Sequence, residues 1–315
     1  MIISASRRTD IPTYYSEWFA RRVKEGFLYV RNPMNALQVS RINLTPEVVD
    51  CIVFWTKNPI PMLPRLNAFD RYPYFFQFTL TGYDADIESG LPDKWDKLVP
   101  AFIELSKRIG PERVIWRYDP IVLNDRYDEA YHLNTFRRLA ETLGGYTKKC
   151  VISFVDIYQK NVKNMRELNN SAPSDEMLLL FAGKMSQVAK ENGMVIATCA
   201  EKIDLSSVGI EHNSCIDREL IEAIAGGRLN VKKDLNQREE CGCVSSIDIG
   251  AYNSCANGCK YCYANYSPEN VRVNMNRYDP MSEILCDTIR PEDKITVREM
   301  KSLLEKQMML SLDEN

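Results

Sequence analysis

Histidine is almost absent from this sequence, which contains only His132 and His212. A Ser-His-Asp triad, an HExxH zinc helix and a histidine-rich zinc site all need histidine as a base or a ligand. The near-absence of histidine therefore argues against these three classes of site.

Long hydrophobic runs are also missing. No stretch approaches the roughly eighteen apolar residues of a membrane-spanning helix, and the first residues lack the charged segment and long apolar run of a signal peptide. The net charge is only −3, so no broad basic surface attracts nucleic acid, although a local groove is compatible with this charge. We therefore expect a cytoplasmic protein with no membrane partner.

Cysteine, by contrast, is abundant, with ten residues. Disulfides rarely persist in the cytosol, where clustered cysteines more often bind metal or take part in redox chemistry. The cysteine pattern is therefore the first place to look for function.

Short apolar runs alternate with helical patterns along the chain, and no repeat or linker interrupts them. The runs are nearly continuous, as in parallel strands that are buried on both faces. The predicted strands cover residues 2–6, 51–55, 75–80, 114–116, 150–155, 195–198 and 245–249. The predicted helices cover residues 12–24, 94–108, 128–143, 174–193 and 216–225.

Seven such units without a linker predict a parallel (β/α) barrel, full or partial, with the cysteine-bearing strand at its C-terminal end. A doubly wound open sheet is the alternative. We expect one domain over residues 1–290, including an inserted hairpin at 27–31 and 37–42. A capping box of Thr296 and Glu299 predicts a C-terminal helix within residues 291–315 that packs on this domain.

Polar side chains follow nearly every predicted strand. Each could be a solvated turn, but the C-terminal strand ends of a (β/α) barrel meet at one rim, where active sites are built. Glu201 is a candidate acid or base at this rim. The other candidates are Arg7, Arg8, Thr9, Asp10, Thr56, Lys57, Arg117 and Asp119.

The sharpest pattern is Cys255-Ala-Asn-Gly-Cys259-Lys-Tyr-Cys262. Three thiolates at this spacing can turn inward in one loop and bind three irons of a [4Fe–4S] cluster. No fourth cysteine lies nearby in sequence, so one iron would be open to a ligand. A zinc knuckle or free buried thiols are the alternatives, but zinc normally takes four protein ligands.

A second candidate set, called here the second cysteine set, comprises Cys199, Cys215, Cys241 and Cys243. Four thiolates suit a second [4Fe–4S] cluster or a zinc site, and unliganded thiols are the alternative because the four are spread along the chain. Cys51 and Cys150 begin apolar strands and are predicted to be inert core residues. Cys286 has no predicted role.

The CxxxCxxC motif, with the aromatic Tyr261 before its third cysteine, resembles the hallmark of the radical S-adenosylmethionine (SAM) superfamily. The continuation Cys262-Tyr263-Ala264-Asn265 looks most like the spore photoproduct lyase branch. In that superfamily the motif follows the first barrel strand, whereas here it follows the last predicted strand. The resemblance therefore implies a circular permutation, in which residues 6–10 follow the second strand of the superfamily and Thr56-Lys57 follows the third.

The usual glycine–glycine–glutamate element of the superfamily is absent, and Thr9 and Asp10 occupy its place. The whole chain also resembles an uncharacterised bacterial family, a domain of unknown function. The shared segments are the SASRRTDIP start, WTKNP, RYDP and the C-terminal cysteine motif.

These resemblances imply an enzyme that cleaves SAM reductively at a [4Fe–4S] cluster and abstracts hydrogen from an unknown substrate. They imply a reductant protein such as a flavodoxin or ferredoxin, and iron–sulfur instead of zinc on the second cysteine set. The implied catalytic residues are Arg7, Arg8, Asp10, Lys57, Arg117 and Asp119, and the implied cofactor contacts are Thr9, Asp10, Thr56 and Tyr261. The alternative is a non-catalytic iron–sulfur or zinc protein, with nucleic acid as one conceivable partner.

Overall fold

The computed structural model describes residues 1–156, 161–171 and 173–305. Its strands, in chain order, are β1 (Ile2–Ala5), β2 (Phe27–Arg31), β3 (Gln38–Asn43), β4 (Cys51–Thr56), β5 (Tyr74–Thr79), β6 (Val114–Ile121), β7 (Lys149–Phe154), β8 (Val195–Thr198), β9 (Glu211–His212), β10 (Ile247–Asp248) and β11 (Lys294–Val297).

Eight strands form one parallel sheet in the order β10-β1-β4-β5-β6-β7-β8-β9. All seven strands predicted from the apolar runs belong to it, and β9 is the one that the sequence did not reveal. The sheet is α/β in character, and β10 and β9 are its two edges. No hydrogen-bonded pair joins these edges within the described residues.

The helices lie mainly between successive strands. In chain order they are α1 (Ile11–Tyr14), α2 (Ser16–Glu25), α3 (Val99–Ile109), α4 (Glu129–Leu143), α5 (Val162–Glu167), α6 (Asp175–Glu191), α7 (Arg218–Ala225) and α8 (Pro268–Asn276). The predicted helix over 12–24 is split at Tyr15, and a π-helical turn, Lys94–Leu98, precedes α3. Asp128 and Ser174 cap α4 and α6 through their side chains.

Alternate residues of the central strands point to opposite faces of the sheet. Phe54 and Phe76 face a large core that includes Phe19 of α2 and Phe102 of α3. On the other face, residues such as Val53 pack against the segment that carries the second cysteine set. Burial on both faces explains why these strands read as continuous apolar runs.

The predicted hairpin is confirmed, because β2 and β3 pair antiparallel. The predicted helix that begins at Thr296 is wrong for the described residues. Lys294–Val297 is instead strand β11, paired in parallel with β3, and no helix follows up to residue 305. The rest of the predicted helix, residues 306–315, lies outside the described residues.

None of the described helices has both the length and the apolar character needed to cross a membrane.

Candidate functional site

One cavity of roughly 450 Å³ lies at the C-terminal ends of six parallel strands, namely β1, β4, β5, β6, β7 and β8, and the loop after β10 forms a further part of its wall. Both cysteine groups contribute to its wall. The other predicted residues that line it are Arg7, Arg8, Thr9, Asp10, Thr56, Lys57, Arg117, Asp119 and Tyr261. The structure therefore brings all of these candidates together, and we call this space the main cavity.

Cys255, Cys259 and Cys262 lie on the loop after β10, which we call the cysteine loop (residues 253–265). Asn265 closes this loop. Its side-chain oxygen accepts hydrogen bonds from the backbone N–H groups of Ser254 (2.8 Å) and Cys255 (2.9 Å). Its amide nitrogen lies 3.6 Å from the Cys262 sulfur. One side chain thus connects the first and last cysteines of the motif.

The cysteine loop packs against residues 84–91, which follow β5. Backbone hydrogen bonds join Gly90 N to Asn257 O (2.9 Å) and Lys260 N to Ile87 O (3.0 Å). Gly258, inside the motif, has φ +65°, and a Cβ there would lie 2.2 Å from the hydroxyl oxygen of Ser89. Both its backbone conformation and this contact require glycine.

Asp10 holds the cysteine loop to the strand ends. This buried carboxylate accepts hydrogen bonds from Thr56 Oγ1 (2.8 Å), Lys57 N (2.7 Å), Thr13 N (3.0 Å) and Asn257 Nδ2 (3.1 Å). Burial raises its pKa, while its hydrogen bonds to the Lys57 backbone and to Thr13 and Thr56 oppose that effect. Because its oxygens are already engaged, Asp10 is built to position the residues around it.

Glu88 was missed by the sequence reasoning. Its buried carboxylate accepts from Lys57 Nζ (2.8 Å), Thr81 Oγ1 (3.0 Å), Lys94 Nζ and the Tyr261 hydroxyl. Burial alone would raise its pKa, but the two ammonium groups outweigh that effect and lower the pKa to about 2. Tyr261 and Lys57, both predicted site residues, are thus held by one unpredicted carboxylate.

Asp248 was also missed, although a carboxylate inside the apolar run 245–249 was an available signal. It accepts hydrogen bonds from Ser6 Oγ (2.6 Å), Arg7 N (2.8 Å) and Gly250 N (3.0 Å). The Arg8 Nε lies 3.9 Å from the same carboxylate. Asp248 therefore fixes the turn after β1 beside the start of the cysteine loop.

Three donors in the main cavity have no hydrogen-bond partner in the described structure. They are Arg7 Nη2, Thr9 Oγ1 and Trp55 Nε1, all buried atoms. Buried donors are normally satisfied, and each unsatisfied one calls for an explanation such as a bound ligand. Their position in one cavity indicates a ligand that offers acceptor atoms.

Arg117 lies between Asp119 and the second cysteine set. It forms an ion pair with Asp119, which also accepts from the Ser153 hydroxyl. Its Nη1 lies 2.8 Å from the Cys215 sulfur. Burial lowers the pKa of Arg117, but Asp119 and the thiols raise it by more, so the guanidinium is charged.

The second cysteine set is gathered from distant parts of the chain. The sulfurs of Cys199 and Cys215 lie 3.2 Å apart. Side-chain hydrogen bonds also link the Cys243 thiol to the thiols of Cys215 and Cys241, so each of the four thiols has a neighbour within the set. The sequence identifies these four cysteines as candidates, but only the fold shows that they are neighbours.

The other cysteines lie away from the main cavity. Cys51 and Cys150 are buried within β4 and β7, and burial raises the pKa of both thiols. Cys286 is also buried.

Glu201 accepts a hydrogen bond from Phe154 N (2.8 Å), and burial raises the pKa of Glu201 to about 7.

Within the residues that the structure describes, no group of three or more histidine, cysteine, aspartate or glutamate side chains is already arranged to hold a single metal ion. In a polynuclear cluster each thiolate binds its own iron, so the ligands need not surround one ion. The donors on the cysteine loop, three thiols in the wall of one cavity, are of the type that such a cluster takes.

Comparison with known proteins gives one family. Residues 2–264 match the profile of the family described as a domain of unknown function (DUF1848). The match covers the whole parallel sheet and the three cysteines of the cysteine loop. No curated protein matches the chain.

Proposed function

This chain belongs to the DUF1848 family, and we propose that it is a radical SAM enzyme whose substrate is bound in the main cavity. The observation that carries the proposal is the position of the cysteine loop. Cys255, Cys259 and Cys262 line the same cavity as the polar residues at the strand ends. The CxxxCxxC spacing is that of three ligands to a [4Fe–4S] cluster.

The order of the strands supports the proposed circular permutation. Strand β10, which leads into the cysteine loop, pairs in parallel with β1, and β1 pairs with β4. In space the cysteine-bearing strand therefore comes first, as the superfamily resemblance requires, although it comes late in the chain. A sheet of eight parallel strands is also the arrangement from which a full or partial barrel forms.

In this proposal, the three thiolates of the cysteine loop hold the [4Fe–4S] cluster and leave one iron without a protein ligand. When bound and reduced by a partner such as a flavodoxin or ferredoxin, the cluster would supply one electron for the reductive cleavage of SAM. The protein contributes binding, orientation and exclusion of water.

The chain's own residues divide into two groups. Asp10, Glu88 and Asp248 have their carboxylates engaged by protein donors, so they fix the loops around the main cavity. Thr9 and Trp55 keep unsatisfied donors and would bind acceptor atoms of SAM or of the substrate. The Thr56 hydroxyl donates its hydrogen to Asp10, so Thr56 positions Asp10 and does not donate to a ligand.

Lys57 and Arg117 are already paired with Glu88 and Asp119. Paired cations of this kind are pre-organised, and they attract an acceptor without the full cost of desolvating an isolated charge. In the proposal they border the bound ligands. Tyr261, whose hydroxyl donates to Glu88, contributes its ring to the wall beside the cluster.

The decisive experiment begins with iron, sulfide and zinc per chain in protein that is prepared without oxygen. The Cys262→Ala variant is compared with Cys286→Ala, a buried cysteine outside the main cavity. We expect Cys262→Ala to lose about four irons per chain. The Cys286→Ala control should keep them and, once reduced, release 5′-deoxyadenosine from SAM.

Two outcomes would overturn this function. One is zinc without sulfide at the cysteine loop after reconstitution with iron and sulfide. The other is a fully loaded, reduced protein that does not cleave SAM. Either result would leave a metal-binding protein without radical chemistry.

A further inference from the structure

The second cysteine set is not used by the proposed function, yet the fold brings it together from three segments. Cys199 follows β8, Cys215 precedes α7, and Cys241 and Cys243 precede β10. The sulfurs of Cys199 and Cys215 lie 3.2 Å apart, and the Cys243 sulfur lies 3.3 Å from the backbone N of Ile216, the residue after Cys215. The Cys241 thiol interacts with the Cys243 thiol. A single redox pair would need only two of these cysteines.

Backbone and amide donors point at the sulfurs. The N–H of Ile216 lies 3.3 Å from the Cys243 sulfur, and Asn213 Nδ2 lies 3.4 Å from the Cys215 sulfur. The turn between Cys241 and Cys243 is Gly242, where a Cβ would come within 2.5 Å of the Ser214 hydroxyl oxygen. Such N–H donors are typical of the shell that orients thiolate ligands around a metal.

Positive charge surrounds the same sulfurs. Arg117 Nη1 is 2.8 Å from Cys215, and the Arg7 guanidinium interacts with Cys215 and Cys243. The guanidinium carbon of Arg7 lies 5.5 Å from the centre of the Trp55 ring, and that of Arg117 lies 5.3 Å from it. The two cations therefore share one aromatic ring.

Only one of these two cations forms an ion pair. Arg117 is paired with Asp119. No carboxylate lies within ion-pair distance of the Arg7 guanidinium in the described part of the chain, and its Nη2 has no hydrogen-bond partner. Asp248 raises the pKa of Arg7 without forming an ion pair, and a buried guanidinium without an ion pair is costly unless further negative charge is placed beside it.

We propose that the second cysteine set binds a second metal centre through four thiolates, with its negative charge balanced by Arg7 and Arg117. Zinc bound by four thiolates and a [4Fe–4S] cluster bound by four thiolates are both dianionic, so the two share this chemistry. In the described residues the four thiols are not arranged around a single ion, and the sulfurs of Cys199 and Cys215 are in contact, so the proposal requires these side chains to rotate when the metal binds.

This centre is separate from the cluster on the cysteine loop, and the test treats it separately. A triple variant, Cys255→Ala with Cys259→Ala and Cys262→Ala, removes the first site. After oxygen-free reconstitution it should retain one centre per chain, either about four irons with sulfide or one zinc without sulfide. The measured sulfide decides between these two metals, and both results support the centre.

Adding Cys241→Ala to the triple variant should remove that metal, whereas adding Cys286→Ala should not. A second variant, Arg7→Gln, leaves all four thiols in place and should weaken metal retention against a chelator by about tenfold or more. Thermal unfolding of each variant shows whether it is folded. The proposal is overturned if the triple variant holds no metal, if Cys241→Ala keeps it, or if mass spectrometry finds a Cys199–Cys215 disulfide in its place.

Discussion

Glu88 offers the most direct test of how the main cavity is held together. Its carboxylate has 1 % exposure and contacts the ammonium groups of Lys57 and Lys94, each with 13 % exposure. Replacing Glu88 by Gln removes the negative charge and leaves two buried ammonium groups facing a neutral amide. Breaking a buried ion pair in this way costs about 3–5 kcal/mol.

The lowered pKa of Glu88 leads to a similar figure for the stabilisation of its charged form over its protonated form. Its fall from 4.5 to about 2 corresponds to about 3 kcal/mol of stabilisation of the charged form. The two routes agree, and we expect Glu88→Gln to lower the free energy of unfolding by about 3 kcal/mol at pH 7. Because the folded-state pKa is lowered, this contribution is present above pH 4.5 and is lost as the pH falls towards 2.

The assay is urea unfolding at pH 7, with the denaturant slope checked for equality between variants. The matched control is Glu104→Gln, which breaks the exposed helical pair of Glu104 with Arg108 and should cost at most about 0.5 kcal/mol. Adding Lys94→Met to Glu88→Gln should recover part of the loss, because one stranded ammonium is removed. If Glu88→Gln were as mild as Glu104→Gln, the carboxylate would not hold the cavity and this account of it would be wrong.

Two further stability predictions follow from burial. Burial raises the pKa of Glu201 from 4.5 to about 7, so the contribution of Glu201 to stability is lost as the pH rises from 4.5 through 7. We therefore expect the Glu201→Gln variant to be more stable than the parent by at most about 3 kcal/mol at pH 8, and equally stable near pH 4. An equal difference in stability at both pH values would refute this prediction. Phe54→Ala removes a ring whose centroid lies 4.7 Å from that of Phe76, and it should lower the free energy of unfolding in urea by about 3–5 kcal/mol. The control is Leu235→Ala, at a side chain 90 % exposed, which should cost less than about 0.5 kcal/mol. Similar losses for both variants would contradict the assignment of Phe54 to the core.

The sequence predicted the parallel sheet because its inner strands carry apolar residues toward both faces. Strand β9 escaped notice because both of its residues, Glu211 and His212, are exposed. The segment 294–297 was misread for a similar reason. Thr296 and Glu299 fit a helix-capping pattern, but pairing with strand β3 decided the conformation, and a local pattern does not report a distant partner.

In the candidate site, too, some residues could be predicted from the sequence and others could not. Cysteine spacing marked the cysteine loop, and strand ends marked Arg7, Asp10 and Lys57. Glu88 gave no local signal, because it lies in a loop with the exposed Asp84 and Asp86, and only the fold buries it against two lysines. The predicted roles of these residues in binding a cluster and SAM stay predictions until metal and cleavage are measured.

The pairing of β10 with β1 has a consequence for the order in which the molecule is made. Ser4 and Asp248, joined across this pair, are 244 residues apart in the chain. During synthesis, strands β4 to β8 can associate while the ribosome is still translating the later segments, because their contacts are sequential neighbours. The edge that carries the cysteine loop can dock only when nearly the whole polypeptide has emerged, and contacts of such long range form slowly. Any metal on that edge must therefore be loaded as one of the last events in the maturation of the protein.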